Sequence, residues 1–392
     1  MKIYPPRPQR LLRPLEANLP RALAPVPQLP NVRVGGLSLP VIVTVLGSLA
    51  GLTLMIVYAE TGPLLPLVGA LVVAASGLWG LGLAWTARAR ATRGRNLKRE
   101  RYLDYLANLR LSLAKSGAEA RTIANLIHPE PGLLPQMIAD PTRLWERRPS
   151  DSDFLQVRIG QGTTLWSPLV ADTDPDPAQG FDPVLMAEAA EAIRTAGLVD
   201  AMPICLDLGL GSGEIALIGP REATENLARA LVAQLACFHS PADVGIVVVG
   251  EQAPAWPGLD RLPHYQTPSV NDLMSLLTRE VSTRPPHAAK GLGWLPHLVI
   301  IVDEHGRSAQ PFPKADLGAT ELGITVIHLI DHPLDGPSEQ AAVVTVDANH
   351  QIGFEPVGEP AQAGQADLVS TGFFEALTRS LAPYSLEEAH GL

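Results

Sequence analysis

The stretch IALIGPREATENLARALVA, residues 215–233, decides the fold of the C-terminal part of this chain. An apolar run, a Gly-Pro step and a helical pattern predict strand, turn and helix, the layout of a phosphate-binding loop. A working loop reads G-x-x-x-x-G-K-[ST]: its amides hold phosphate, its Lys reaches the terminal phosphates and its hydroxyl holds magnesium. Aligned on Gly219, the last three positions are Thr224, Glu225 and Asn226. Because an acid replaces the Lys and an amide replaces the hydroxyl, we predict a degenerate loop.

A second motif follows at the distance expected in a nucleotide-binding fold. LVIIVDE, residues 298–304, is typical of a Walker B strand, in which Asp303 would hold magnesium through water and Glu304 would orient the attacking water. The alternative is that both acids are solvated loop residues. We predict weak or no MgATP binding and assign no catalytic residue. The degenerate nucleotide-binding positions are Gly219, Thr224, Glu225, Asn226, Asp303 and Glu304.

The surrounding sequence alternates helical patterns with apolar runs. This alternation predicts an α/β domain over residues 181–392, with a mainly parallel sheet covered on both faces, of the RecA-like, degenerate P-loop NTPase class. LGLGSG, residues 208–213, lies between two short strands, and we interpret it as a hairpin turn rather than a phosphate loop. The predicted strands are 204–208, 214–218, 244–249, 298–302, 324–330 and 342–346, and the predicted helices are 184–196, 221–238 and 270–283.

Two uncharged apolar stretches, residues 34–59 and 61–87, lie near the N-terminus. Each exceeds the ~18 residues that indicate a membrane-spanning helix, and the short step between them predicts a two-helix transmembrane hairpin with spans at 34–59 and 63–87. The positive-inside rule predicts that both termini lie in the cytoplasm. The alternative is a buried helical hairpin in a soluble protein. The basic residues that flank the spans are Arg33, Arg88, Arg90, Arg93 and Arg95.

The remaining N-terminal segments are an arm and a stalk. Residues 1–33 are rich in Pro and Arg, which indicates either an extended arm lying on a neighbour or a disordered tail. Residues 88–180 predict a stalk helix, ended by prolines near 129, and a connecting segment. An apolar stripe on this helix predicts packing on another helix of this chain or of a partner, and consists of Leu103, Leu106, Leu109 and Leu113.

The distribution of charged residues limits the classes of partner that the chain is expected to bind. The net charge is -10 although the N-terminal part is basic, so the C-terminal part is acidic and we expect no nucleic-acid binding. We expect the basic flanks to face the lipid bilayer. His328 and His332 have the spacing of a helical metal pair, but one lies in a strand pattern and the other precedes Pro333, so we predict no metal site.

Several local motifs together resemble the EccC family, membrane-bound FtsK/SpoIIIE-type ATPases of type VII (ESX) secretion systems. LWERRP is the most specific of them. The motifs are HP (128–129), LWERRP (144–149), DFL (153–155), VRIG (157–160), LIG (217–219) before Arg229-Ala230, QL (234–235), FHSP (238–241) and LPH (262–264). The resemblance implies an oligomeric membrane complex with the subunits EccB, EccD and EccE. It also implies further ATPase domains downstream, which would use Mg-ATP, whereas no cofactor is expected in this segment.

The resulting hypothesis is a membrane-anchoring and coupling segment of a type VII secretion ATPase, linking the inner-membrane complex to motor domains that drive protein export. Since the sequence stops at Leu392 before any intact phosphate loop, we expect a longer native protein. Two alternatives stay open. One is an active ATPase with an unorthodox phosphate loop, and the other is a segment of an FtsK-type DNA translocase.

Overall fold

The computed structural model describes residues 10, 12, 20–28, 39–57, 64–140, 142–171, 182–209, 213–249, 255–267, 273–284, 295–309, 320–358 and 360–384. The chain divides into two compact units, each described by itself below. The sheet unit comprises residues 1–17, 116–166 and 198–392. The stalk unit comprises residues 18–115 and 167–197.

The described strands and helices are numbered along the chain. The strands are β1 (Arg21–Leu23), β2 (Gln156–Leu165), β3 (Leu169–Ala171), β4 (Leu198–Asp207), β5 (Glu214–Ile218), β6 (Val244–Val249), β7 (His297–Asp303), β8 (Ile324–Ile330), β9 (Ala342–Val346), β10 (Gln351–Pro356) and β11 (Gln362–Ala366). The helices are α1 (Leu39–Val57), α2 (Leu64–Ile127), α3 (Leu134–Ala139), α4 (Pro183–Thr195), α5 (Arg221–Phe238), α6 (Leu273–Thr283) and α7 (Thr371–Leu381).

Helix α2 merges two segments that the sequence predicts separately, the second span and the stalk. It is one helix of 64 residues, so at a rise of ~1.5 Å per residue its length is about 96 Å. In the described part of the chain, α2 is the helix that is long and apolar enough to cross a membrane, and α1 is a shorter apolar helix. Large apolar side chains on both are exposed, among them Leu46 and Trp85.

The two apolar helices touch where both carry small residues. A Cβ atom added at Gly51 would lie 2.8 Å from the carbonyl oxygen of Gly69, and one added at Gly47 would lie 2.4 Å from Cβ of Ser76. Small residues allow such close backbone approach between apolar helices. The turn of the predicted hairpin falls on residues 58–63, outside the described residues, so the hairpin stays a prediction.

The apolar stripe of the stalk is buried against other parts of the stalk unit. Leu106, Leu109 and Leu113 of α2 form one cluster with α4 and with the paired strands β1 and β3. The hydroxyl of Tyr102 also donates to the carbonyl oxygen of Ala24, at 3.0 Å. The stripe therefore packs on a helix of this chain, and part of the predicted arm lies along the stalk. The residues that α4 contributes are Leu185, Ala189 and Ala192.

The sheet unit is built on a nine-stranded sheet in the order β4-β2-β11-β10-β9-β5-β8-β7-β6. The four pairings from β9 to β6 are parallel, and the four from β4 to β9 are antiparallel. The prediction of a mainly parallel sheet was wrong, because the sheet is mixed. Strands β9, β10 and β11 follow one another after four or five residues, which is too short for a parallel crossover.

The hairpin predicted at residues 208–213 was also wrong. Strand β4 lies at one edge of the sheet, and four other strands separate it from β5. The two strands are consecutive in the chain but are not paired.

Helix α5 forms the centre of the core on one face of the sheet. It agrees with the predicted helix 221–238, and its residues from Leu227 to Phe238 are buried between the sheet, α3 and α7. On the other face, Leu276 and Leu277 of α6 pack on the apolar strands β6 and β7. Strand β5 and helix α5, which flank the degenerate loop, are therefore part of the buried core.

Candidate functional site

The candidate site lies at the carboxyl ends of the parallel strands, where β5 turns into α5. Gly219 makes the turn at φ +152°, and a Cβ atom there would lie 2.1 Å from the carbonyl oxygen of Val346. Glycine is required at this position because a side chain would collide with the backbone of β9. Helix α5 begins at Arg221, two residues after Gly219.

This early start removes the cradle of a phosphate loop. Positions that would form the loop, from Arg221 to Thr224, already belong to the helix. The amide of Gly219 donates to the carbonyl oxygen of Ile330 at 3.1 Å, and the amide of Thr224 donates to that of Pro220, also at 3.1 Å. Pro220 itself has no amide hydrogen. Of the backbone donors that would hold phosphate, that of residue 220 is absent, and those of Gly219, Ala223 and Thr224 are bonded within the protein.

The Walker B aspartate is bound by side chains of the protein itself. Nη1 of Arg221 lies 2.5 Å from Oδ2 of Asp303, and Nδ1 of His305 lies 2.7 Å from Oδ1. The other ring nitrogen of His305, Nε2, lies 3.1 Å from Oγ1 of Thr224. Burial raises the pKa of Asp303, but the hydrogen bonds from His305 and the charge of Arg221 outweigh it and hold that pKa below its usual value. A guanidinium group and an imidazole therefore already bind both carboxylate oxygens of Asp303, the group that would hold magnesium.

The Walker B glutamate is also engaged. Oε2 of Glu304 lies 2.6 Å from Nδ1 of His328, which is fully buried in β8. The other ring nitrogen of His328 lies 3.9 Å from Oε1 of Glu214, at the start of β5. Glu304 itself is 6% exposed. A catalytic glutamate must reach a water beside the phosphate, whereas this one is directed into the sheet.

Two of the predicted site residues lie elsewhere. Glu225 lies 3.7 Å from Nη1 of Arg229, and Oδ1 of Asn226 accepts from Nη2 of Arg229 at 2.5 Å. Arg229 also donates to the carbonyl oxygens of Val369 and Ala255. Glu225 and Asn226 therefore contact a buried structural arginine one turn further along α5.

The structure thus brings together Gly219, Thr224 and Asp303, with Glu304 next to them. Sequence reasoning missed Arg221, His305 and His328 as members of this network. The adjacency of His305 to the Asp-Glu pair was the available signal. For Arg221 there was none, because its role depends on the early start of α5.

A second cluster in the sheet unit surrounds the C-terminal end of α2. Three arginines donate to three consecutive carbonyl oxygens: Arg143 to Leu126 at 2.6 Å, Arg147 to Ile127 at 3.0 Å and Arg158 to His128 at 3.1 Å. Carbonyl groups in the last turn of a helix lack partners within the helix, and the helix dipole favours positive charge there. The arginines come from the LWERRP and VRIG motifs and the segment just before them. We call Arg143, Arg147 and Arg158 the stalk clamp.

Arg147 is the most enclosed member of the stalk clamp. It is 1% exposed; its Nε lies 3.4 Å from Oδ2 of Asp153, and its guanidinium carbon lies 4.6 Å from the centroid of the Phe238 ring. Nη2 also lies 3.1 Å from Nδ1 of His128. Burial, and then the positive charge of Arg147, lower the pKa of His128 to about 3, so this imidazole is neutral and accepts the hydrogen bond. Arg10 of the arm closes the cluster with its own ion pair to Asp153.

Comparison with known proteins shows which proteins the chain is similar to. The chain is 30% identical to the ESX secretion system protein EccC of Thermomonospora curvata over 320 residues, which is 75% of this chain and 24% of that protein. It is 36% identical to the ESX-4 secretion system protein EccC4 of Mycobacterium tuberculosis over 214 residues, 53% of this chain and 17% of that protein. The chain is a relative of the EccC proteins. It therefore spans about a quarter or less of the length of these EccC relatives.

Solved structures of EccC proteins are less similar to this chain than these sequence relatives are. The cytoplasmic domain of the type VII secretion ATPase EccC of Thermomonospora curvata aligns with a TM-score of 0.41 at 16% identity, covering 64% of this chain and 33% of that one. No family model matches the chain. The relationship to EccC therefore rests on the sequence relatives, and it covers the segment that carries LWERRP.

Proposed function

We propose that this chain is the membrane-anchoring and coupling segment of an EccC-type secretion ATPase, joining a membrane complex to downstream motor domains that drive protein export. The observation that carries this proposal is the stalk clamp. Three arginines donate to the carbonyl oxygens of the last two residues of α2 and of the residue that follows it, and α2 begins in an apolar, exposed segment. A single helix fixed in this way has no loop that would absorb a displacement, so it is suited to transmit position.

The sheet unit, in this proposal, does not hydrolyse ATP and acts as a stator or docking platform. Support comes from the helical start of α5 and from the partners that already engage Asp303 and Glu304. Mg-ATP would be used by downstream domains, and substrate recognition would also lie there. The competing proposal, an active ATPase with an unorthodox loop, requires Arg221 and His305 to leave Asp303.

The membrane part of the proposal places α1 and the start of α2 in the bacterial inner membrane, with both termini cytoplasmic. Its support is the exposed apolar surface of both helices and the basic residues Arg88, Arg90, Arg93 and Arg95 that follow; Arg33 lies outside the described residues. Subunits of the EccB, EccD and EccE type are the proposed partners, in an oligomeric assembly. The net charge of -10 favours this function over DNA translocation.

A flexible insertion tests the coupling. In cells that carry the secretion system, we would insert Gly-Gly-Ser between Lys115 and Ser116 of α2 and measure substrate export together with the amount of protein in the membrane. The proposal predicts normal membrane levels and a loss of most export. The matched control inserts the same residues within 385–392, beyond α7. Full export with the interrupted helix would refute coupling through α2.

A further inference from the structure

A cavity of about 230 Å³ lies in the stalk unit beside α2. One wall is the α2 surface from Ala91 to Arg99, and the opposite wall includes Leu185 of α4 and Pro27 of the arm. Small residues of α2 make the space: a Cβ atom added at Gly94 would meet nothing within 4 Å. The lining combines the apolar residues Pro27, Ala91 and Leu185 with long charged side chains, whose aliphatic stems also contribute apolar surface.

The charges around this cavity favour an anion. Arg95, Lys98 and Arg99 contribute three positive charges, and Asp182 contributes one negative charge. Oδ1 of Asp182 accepts from the amide of Val184 at 3.0 Å, as the N-cap of α4, so this carboxylate is already engaged. Guanidinium groups bind phosphate with charge-assisted hydrogen bonds. The cavity thus combines an apolar wall with a net positive rim.

The membrane-proximal end of the cavity, at Ala91, lies at the depth of the headgroup layer of a bilayer, and helical side chains such as those of Arg95 and Lys98 tilt toward the helix N-terminus, which for α2 is the membrane side. Ala91 comes four residues after Ala87, the last residue of the uncharged stretch, a rise of about 6 Å. The headgroup region extends roughly 5–7 Å beyond the hydrocarbon core on each side. This step rests on the proposed membrane crossing of α2.

We propose that this cavity binds the headgroup of an anionic phospholipid, with the phosphate against Arg95 and Lys98 and the glycerol against the aliphatic wall. Its volume lies below the ~300–1,000 Å³ of pockets for drug-sized ligands, so it fits a headgroup better than a nucleotide. Inorganic phosphate carries the same kind of charge, but it has no apolar part that could pack against the apolar wall. The site would fix the stalk at the membrane surface.

Native mass spectrometry of the full chain released from detergent tests this proposal. Phosphatidylglycerol and phosphatidylcholine are added at equal concentration, and the retained lipid is measured. We expect preferential retention of phosphatidylglycerol. Gly94→Leu, which fills the cavity without changing charge, should weaken that retention about 10-fold, as should the double variant Arg95→Gln/Lys98→Gln. Leucine in place of helical glycine also favours the helix, so the fold is retained.

Matched controls separate the cavity from general effects. Gly82→Leu changes another open position of α2, and Lys115→Gln/Arg121→Gln removes two exposed charges of α2 that lie outside the cavity and beyond the basic flank. Each should change retention less than about twofold. Equal retention of both lipids, or unchanged retention by Gly94→Leu, would overturn the proposal. Complete displacement of the lipid by millimolar inorganic phosphate would overturn it in favour of a free-anion site. Extraction of the chain from membranes by carbonate would instead refute the membrane crossing.

Discussion

Nη2 of Arg147 lies 3.0 Å from the carbonyl oxygen of Ile127, the last residue of α2. This contact joins the most specific motif of the sequence, LWERRP, to the end of the stalk helix. The same guanidinium pairs with the buried Asp153. Without this guanidinium, Asp153 would keep Arg10 as its partner, but the carbonyl oxygens of Ile127 and Gln156 would each lose a charged donor, at a cost of ~1–3 kcal/mol per unsatisfied buried group.

We therefore predict that Arg147→Ala lowers the free energy of unfolding by about 2–5 kcal/mol. Denaturant unfolding followed by tryptophan fluorescence measures it. Arg148→Ala, at the exposed neighbouring position, is the matched control and should change stability by less than ~1 kcal/mol. Equal effects of the two substitutions would contradict the assignment of Arg147 to the stalk clamp.

The turn at Gly219 gives a second prediction. Gly219→Ala should destabilise the protein by roughly 1–3 kcal/mol or more, because alanine there is strained at φ +152° and its Cβ would collide with the backbone of Val346. Gly372→Ala, in α7 where a Cβ meets nothing within 4 Å, should be neutral or stabilising. A shift in the melting temperature of the same sign and size for both would refute this account of the turn.

Buried imidazoles make stability depend on pH. Burial lowers the pKa of His264 to about 4 and that of His297 to about 3, and burial together with Arg147 lowers that of His128 to about 3. In the unfolded chain these groups titrate near ~6.5. Between these values the unfolded state binds more protons, so stability is full above pH ~6.5 and falls as the pH drops toward ~3.

The melting temperature measured from pH 7.5 down to pH 4.5 checks this dependence. We expect a decline that starts below pH ~6.5. His128→Gln should make the decline shallower, since it removes one of the groups, whereas His350→Asn, at an exposed turn, should leave the slope unchanged. A melting temperature that stays constant between pH 7.5 and pH 5 would contradict the buried neutral imidazoles.

Substitution of Arg221 tests whether its ion pair with Asp303 alone prevents MgATP binding at the candidate site. The side chain of Arg221 is 51% exposed, and such surface pairs contribute only ~0–1 kcal/mol. We predict that Arg221→Ala changes stability little and does not create MgATP binding, because the loop backbone remains helical. Micromolar MgATP binding by Arg221→Ala, measured by calorimetry, would show that Arg221 alone closes the site.

Sequence reasoning succeeded where the pattern was local. The helix at 221–238 and the strands at 214–218, 244–249, 324–330 and 342–346 were predicted with the bounds that the structure shows. It failed for the antiparallel half of the sheet. Strand β11, QAGQA, has little apolar content, and β10 holds glycine and proline, so neither gives a clear strand pattern.

The local motifs of the candidate site could be predicted from the sequence, whereas the contacts between its strands could not. The loss of the Lys at Glu225 and the Asp-Glu pair at 303–304 are visible in the sequence. The bonds from Asp303 to Arg221 and from Glu304 to His328 depend on the sheet order, in which β8 lies between β5 and β7. Such long-range neighbours carry no signal in a single sequence.

The central claim is that this segment anchors and transmits, and does not itself use ATP. Titration calorimetry of the purified full chain with MgATP tests it most directly. The account predicts no saturable heat at any concentration up to the millimolar range, since the loop positions are helical from Arg221 onward and both Walker B acids are engaged within the protein. Magnesium-dependent binding at micromolar ATP would contradict it and favour the active ATPase instead.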